Sequence, residues 1–221
     1  MENISWYLSL LFISTTLGTI YLLCRALPST QNTIRILVVW LCLQSVVALS
    51  GFYTNTTSLP PRFLGMVVPP AVLFIVLFTS KKGKEFIDQI YLSSLILLHV
   101  IRIPVEIVLY GLSIENVIPE LMTFDGRNWD IFSGITAPFI YYGYRQSKIS
   151  NSIVLIWNFV CLFLLLNIVL HAVLSAPSPF QQFAFDQPNI AIFYFPFNWL
   201  PACVVPIVLF AHLVAIRKLI K

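Results

Sequence analysis

The string LLHVIRIPVEIVLYG places His99, Arg102, Glu106 and Tyr110 close together in otherwise apolar chain. At 100° per residue, offsets of three and seven put the first three within about 60° of one another on a helix, and Tyr110 continues that face. An arginine near the centre of a membrane costs about 2.5 to 3.5 kcal/mol on insertion scales, so it must face protein or water and find an acceptor. Glu106, one turn away, is the nearest candidate partner. Pro104 deprives the Val100 carbonyl of its helical bond and adds a polar group to the same region. Such a constellation suits a site that binds an anion or handles a proton; it also suits an ion pair that only locks helices together.

Other polar residues fall at comparable depth. Asn167 and His171 are four apart, hence on one helix face, and are expected to point at the Arg102 helix. Asn198 and Trp199 open the last apolar segment, followed by Pro201 and Pro206, and Pro69 and Pro70 are expected to break the third segment. The loop MTFDGRNWDIFSG carries Asp125, Arg127, Asn128 and Asp130. Asp130 is placed to cap the following helix, Arg127 to pair with an aspartate or an anionic ligand, and Asp125 to shape the turn.

Other chemistries find less support. The histidines His99, His171 and His212 are expected near the midplane, toward the outside and toward the inside, so no metal centre is expected, and no cofactor. Haem held by His99 with His212 or His171 is the alternative, without a supporting motif. No lysine falls in an apolar segment, which excludes a retinal-type Schiff base, and no P-loop, H-E-x-x-H, G-x-S-x-G or Rossmann fingerprint occurs. Cys24, Cys42, Cys161 and Cys203 lack C-x-x-C spacing and read as small core residues.

The elements that must position these residues are apolar helices. The 221 residues are 58% hydrophobic and 10% charged, with a mean hydropathy of +0.88, against about a quarter charged in soluble domains. So few charges cannot clothe a water-soluble surface, and the +4 net charge is scattered in short loops, so no nucleic-acid partner is expected. A single all-α transmembrane domain over 1–221 is expected, with seven spans near 5–25, 33–53, 62–80, 86–112, 129–147, 152–175 and 197–218. Gly134 and Pro138 are expected to interrupt the fifth. The start MENISWYLSLLF lacks the basic n-region and cleavage site of a signal peptide, so the first run is expected to stay as a helix.

With the N-terminus outside, the inner side receives Arg25, Arg35, Lys81, Lys82, Lys84, Arg145, Lys148, Arg217, Lys218 and Lys221. The outer side receives only Arg62 and Arg127, together with Glu2, Glu115, Glu120, Asp125, Asp130 and Asp186. This basic bias toward one side appears only for an odd number of crossings and puts the C-terminus in the cytoplasm. The aromatic outer stretch FQQFAFDQPNIAIFYF is expected to fold back over the helix mouths.

The strings RIPVEIVLYG, PELMTFDGRNWDI and SAPSPFQQFAFDQPNIA resemble a family of uncharacterised bacterial seven-helix membrane proteins of about this length. The resemblance runs the length of the chain and implies a bacterial inner membrane, where the sequons at Asn3 and Asn55 would be silent. It brings no activity with it.

The leading expectation is a bundle that binds a small anionic or amphipathic molecule in an outward-facing polar pocket, for transport or sensing. Arg102 would supply fixed positive charge, Glu106 and His171 would adjust protonation, and Asn167 and Asn198 would orient the ligand. The alternatives are an intramembrane enzyme acting on a lipid or isoprenoid, with Glu106 or Asp130 as acid or base and His171 assisting, and a structural or assembly protein.

Overall fold

A computed structural model of the protein describes residues 4–221. Glu2 and Asn3, which enter the charge count and the first sequon, lie outside them. The described residues form eight helices and no strand: α1 (Trp6–Ala26), α2 (Gln31–Leu49), α3 (Leu64–Thr79), α4 (Lys81–Asp88), α5 (Leu92–Ile114), α6 (Ile131–Arg145), α7 (Asn151–Ser175) and α8 (Leu200–Ile220). Five of these, α1, α2, α5, α7 and α8, are long and apolar enough to cross a membrane; α3 with α4 makes a sixth if that bent pair is one span.

The outward faces are apolar: Val39, Phe139 and Phe163 are 68, 73 and 70% exposed. Water would not tolerate such surfaces on α2, α6 and α7, whereas lipid does. Helices α5 and α8 lie at the centre, with 56% and 50% of their most apolar stretches buried against 17% for α2 and 22% for α7. Around α5 pack α1, α6 and α8, while α7 packs on α8 and α6.

Two of the boundaries have a clear local cause. Leu27 precedes Pro28 and takes extended backbone angles, which stops α1. At Ser80 the chain turns through 89° from α3 into α4, and the Ser80 hydroxyl accepts from the Gly83 N–H at 3.1 Å. A side chain at Gly83 would sit 2.3 Å from the Leu77 carbonyl oxygen, so this corner requires glycine. Helix α4 thereby lies across the bundle end, with Lys81, Lys82, Lys84 and Glu85 exposed and Ile87 buried. Residues 86–91 consequently belong to α4 and its turn, so the helix expected over 86–112 runs instead from Leu92 to Ile114.

The prolines do not break the helices as expected. Helix α3 continues through Pro69 and Pro70, and α6 through Gly134 and Pro138. Side chains meet carbonyls that proline leaves without a helical partner. Gln44 Nε2 donates to the Gly65 carbonyl, four residues before Pro69, at 3.4 Å. Trp40 Nε1 donates to the Ala202 carbonyl, four before Pro206, at 2.8 Å, beside the π-helical opening Leu200–Val204 of α8. A 3₁₀ turn at His99–Ile101 precedes Pro104.

At the end opposite α4, the segment after α7 folds back over the bundle. The Asn189 N–H donates to Ser175 O at 2.9 Å, the Ile190 N–H to Val117 O at 3.1 Å, and Ala191, Ile192, Phe193 and Phe197 are buried. Phe193 stacks on Phe63.

Candidate functional site

Arg102 sits near the middle of α5, just after the 3₁₀ turn, and is almost wholly buried. Glycine at position 134 lets α6 approach here: a Cβ there would meet Ile103 Cγ1 at 2.9 Å and Arg102 Cβ at 3.3 Å. That contact brings Asp130, at the start of α6, to the guanidinium, and Arg102 Nη1 bonds Asp130 Oδ1. Nη1 also donates to the Cys161 carbonyl on α7 at 3.3 Å, and Nη2 lies 2.8 Å from His212 Nε2 on α8. One side chain of α5 thus ties together α6, α7 and α8.

The histidine's tautomer follows from its partners. A guanidinium only donates, so His212 Nε2 accepts and the proton sits on Nδ1, which donates to Asn158 Oδ1 at 2.9 Å. Asn158 Nδ2 in turn donates to Val154 O at 2.9 Å. His99 stacks on His212 with ring centroids 4.0 Å apart and planes 18° from parallel, and Trp157 meets His99 edge-on at 5.5 Å.

Glu106 joins the cluster through Asn128. Asn128 Nδ2 donates to Glu106 Oε1 at 2.6 Å and to Met122 O at 3.0 Å, while its Oδ1 accepts the Asp130 N–H at 3.1 Å. Ser133 Oγ donates to Asp130 Oδ1 at 3.3 Å. One guanidinium therefore stands beside two buried carboxyl groups. Four polar atoms of the cluster are buried without a partner on the protein: Arg102 Nε, Glu106 Oε2 and both ring nitrogens of His99.

Of the residues singled out from the sequence, His99, Arg102, Glu106 and Asp130 come together. The expected Arg102–Glu106 pairing is corrected: Asp130 takes the guanidinium, because α6 approaches over Gly134, and Glu106 is held by Asn128. The other residues stand apart. Tyr110 stacks on Phe124 at 4.9 Å, and Asn167 Nδ2 donates to the exposed Arg127's carbonyl at 3.0 Å. His171 Nδ1 lies 2.8 Å from Asn167 O, with its ring against Phe183. Asn198 Nδ2 donates to Gln44 O at 3.0 Å, binding the start of α8 to α2.

The expected inward face of α7 is also corrected. Val154, Asn158, Cys161, Leu165 and Ile168 are its buried stripe, and Asn167 lies about 180° round the helix from Asn158. Ser133 and Asn158, which the sequence reading did not single out, join the cluster, and Asn128 and His212, noted only as a loop residue and as an alternative haem ligand, join it as well. Polarity inside an apolar run was the available signal for Asn158, but a helix apolar all round does not say which side faces inward.

The expected disagreement in depth between His99 and His212 does not occur. Because α5 starts at Leu92 rather than 86, His99 lies six residues, about 9 Å, closer to the α4 end than expected. That levels it with His212, which precedes the end of α8 by eight residues. The stacked rings leave no room for a macrocycle between them. Among the described residues no three His, Cys, Asp or Glu side chains gather as a metal site.

Fold and site define an all-α protein with several helices fit to cross a membrane and a charged cluster buried where four of its helices meet. Residues 60–220 match the family described as Domain of unknown function (DUF8737), and the chain belongs to that family. No curated protein and no solved structure matches it.

Proposed function

We propose that this is a seven-span protein of a bacterial inner membrane, with its C-terminus in the cytoplasm, that binds a small anionic or amphipathic molecule for transport or sensing. The topology is supported by the distribution of Lys and Arg, and by chain direction. Helix α5 ends and α7 begins at opposite ends of the bundle, so the fifteen residues of α6 carry the chain back between them. Helix α3 likewise runs from Phe63, stacked beneath the folded-back segment, to Ser80 at the other end.

The observation that carries the binding reading is the unused hydrogen-bonding capacity of Arg102 Nε, Glu106 Oε2 and His99 inside a cluster shielded from water. Buried polar groups are normally satisfied, and a purely structural ion pair gains nothing from leaving them open. In this reading Asp130 occupies, in the resting state, the place on Arg102 that the ligand's anionic group takes. Ligand entry is an exchange of partners: Asp130 withdraws with the Asn128 loop, and Glu106 or His99 accommodates the change of charge. The pocket opened by that exchange is lined by Arg102, Glu106 and His99, without the Asn167, His171 and Asn198 expected to share it.

The test is a thermal-shift screen of the purified protein against small carboxylates, phosphates and lysolipids. A stabilising compound should be found whose effect disappears in Arg102→Gln and strengthens in Asp130→Asn, which frees the guanidinium. If no compound shifts the parent, and Arg102→Met with Asp130→Leu melts at or above it, the cluster is a structural device and the reading fails.

A further inference from the structure

Away from the Arg102 cluster, α1, α2, α3 and α8 line a half-open groove of about 410 Å³. Its walls are apolar, among them Leu23, Leu37, Leu73, Phe74 and Phe210. Trp40, which lines it, is held by the bond from its indole to the Ala202 carbonyl. At the other end, toward α4, the lining includes Asn32, Thr33 and Phe86. The volume is within the range of about 300 to 1,000 Å³ usual for small-molecule sites. An apolar, shaft-like groove with Asn32 and Thr33 at its α4 end matches a lipid chain with its headgroup at the interface.

Charge at the mouth selects the kind of lipid. Arg35 is three residues from Asn32, and Lys82 is four from Phe86, so each stands one helical turn from a lining residue. Arg25, Lys81 and Lys84 lie at the same end, with Glu85 among them. All are exposed, and among the described residues none of these five cations pairs with a carboxylate. The acid nearest α8, Asp88, is instead taken by Lys221 and Arg217.

We infer that this groove holds one acyl chain of an anionic phospholipid from the leaflet in which α4 lies, its headgroup phosphate between Arg35 and Lys82. The inference uses the membrane reading of these helices but not the function proposed for the Arg102 cluster.

Native mass spectrometry of the purified full chain, with dioleoyl phosphatidylglycerol or dioleoyl phosphatidylcholine added, tests it. Phosphatidylglycerol should be retained preferentially, and Arg35→Gln with Lys82→Gln should lower its retention by roughly tenfold. The charge-keeping pair Arg35→Lys with Lys82→Arg should retain it, which shows that the fold tolerates change there. Leu73→Trp, which fills the shaft, should abolish retention while leaving the headgroup cations in place. Equal retention of both lipids, unchanged retention in Leu73→Trp, or an equal loss in the control pair Arg145→Gln with Lys148→Gln would each overturn the proposal. The first would mean a groove indifferent to headgroup, the second binding outside the shaft, and the third a general effect of surface charge.

Discussion

Arg102 and His212, 110 residues apart in the chain, share a 2.8 Å hydrogen bond that settles which nitrogen of the histidine carries its proton. The consequence runs on to Asn158, whose side-chain oxygen receives that proton's bond. Nitrogen-15 NMR of histidine-labelled protein should show Nδ1 of His212 protonated and Nε2 as an acceptor. Asn158→Leu strands the Nδ1–H in an apolar wall and should lower stability by about 1 to 3 kcal/mol. A shape-preserving pair, Asn158→Leu with His212→Phe, should regain part of that loss but strand Arg102 Nη2.

The Arg102–Asp130 pair gives the sharpest contrast between single and double changes. Arg102→Ala leaves a buried carboxylate without its partner and should cost about 3 to 5 kcal/mol. Unfolding in mixed detergent, with the double variant Arg102→Met and Asp130→Leu alongside, reads the coupling directly. A single-variant loss of less than 1 kcal/mol would mean that water or lipid headgroups reach the cluster, contrary to its burial.

Asn128 joins two carboxyl-bearing elements through three bonds, to Glu106, to Met122 O and from the Asp130 N–H. Asn128→Ala should therefore lower stability by about 3 kcal/mol. Hydrogen exchange should rise across residues 120–132 and stay unchanged in α2, which has no contact with this loop's polar network.

Trp40 and Pro206 are expected to be coupled. Trp40→Phe leaves the Ala202 carbonyl without its donor and should cost about 1 to 3 kcal/mol. In a Pro206→Ala background the restored N–H serves that carbonyl, so the same substitution should cost markedly less. A double-mutant cycle showing strict additivity would refute the link.

Acid should loosen the end of α8. Asp88 accepts from Lys221 Nζ at 2.6 Å, and that bond, helped by the charges of Lys221, Arg217 and Lys218, holds its carboxyl below the usual carboxylate range. A group whose folded pKa is depressed contributes stability that is complete above its unfolded value of about 3.9 and is lost as pH falls through the folded one. Protection factors over residues 213–221, which remove the intrinsic pH dependence of exchange, should thus be constant near neutrality and fall below about pH 4. Asp88→Asn should remove the transition.

Much was readable from the chain. Composition and run length specify an all-α protein of apolar helices, because a helix must satisfy its own backbone wherever water is missing. The strings around Arg102 and Asp130 lie within the region matched by the family model. A guanidinium in the middle of an apolar run also announced a buried cluster, since charge there demands a partner.

The identity of that partner was beyond the sequence. Spacing along one helix favours Glu106, but Asp130 wins because a glycine at 134 admits α6 to α5, a contact with no signature in local periodicity. Whether Asn158 or Asn167 faces inward is equally hidden, because α7 is apolar on every side. The level of His99 depended on a corner at Ser80 that turns residues 81–88 out of the bundle axis. Local chemistry, in short-range backbone and solvation terms, determines that helices form and that a charge among them seeks company. Which groups meet is decided by packing between separate segments, 28 residues apart for Arg102 and Asp130 and 110 for Arg102 and His212, where a single missing Cβ or a shifted helix start selects among partners of equal chemical merit.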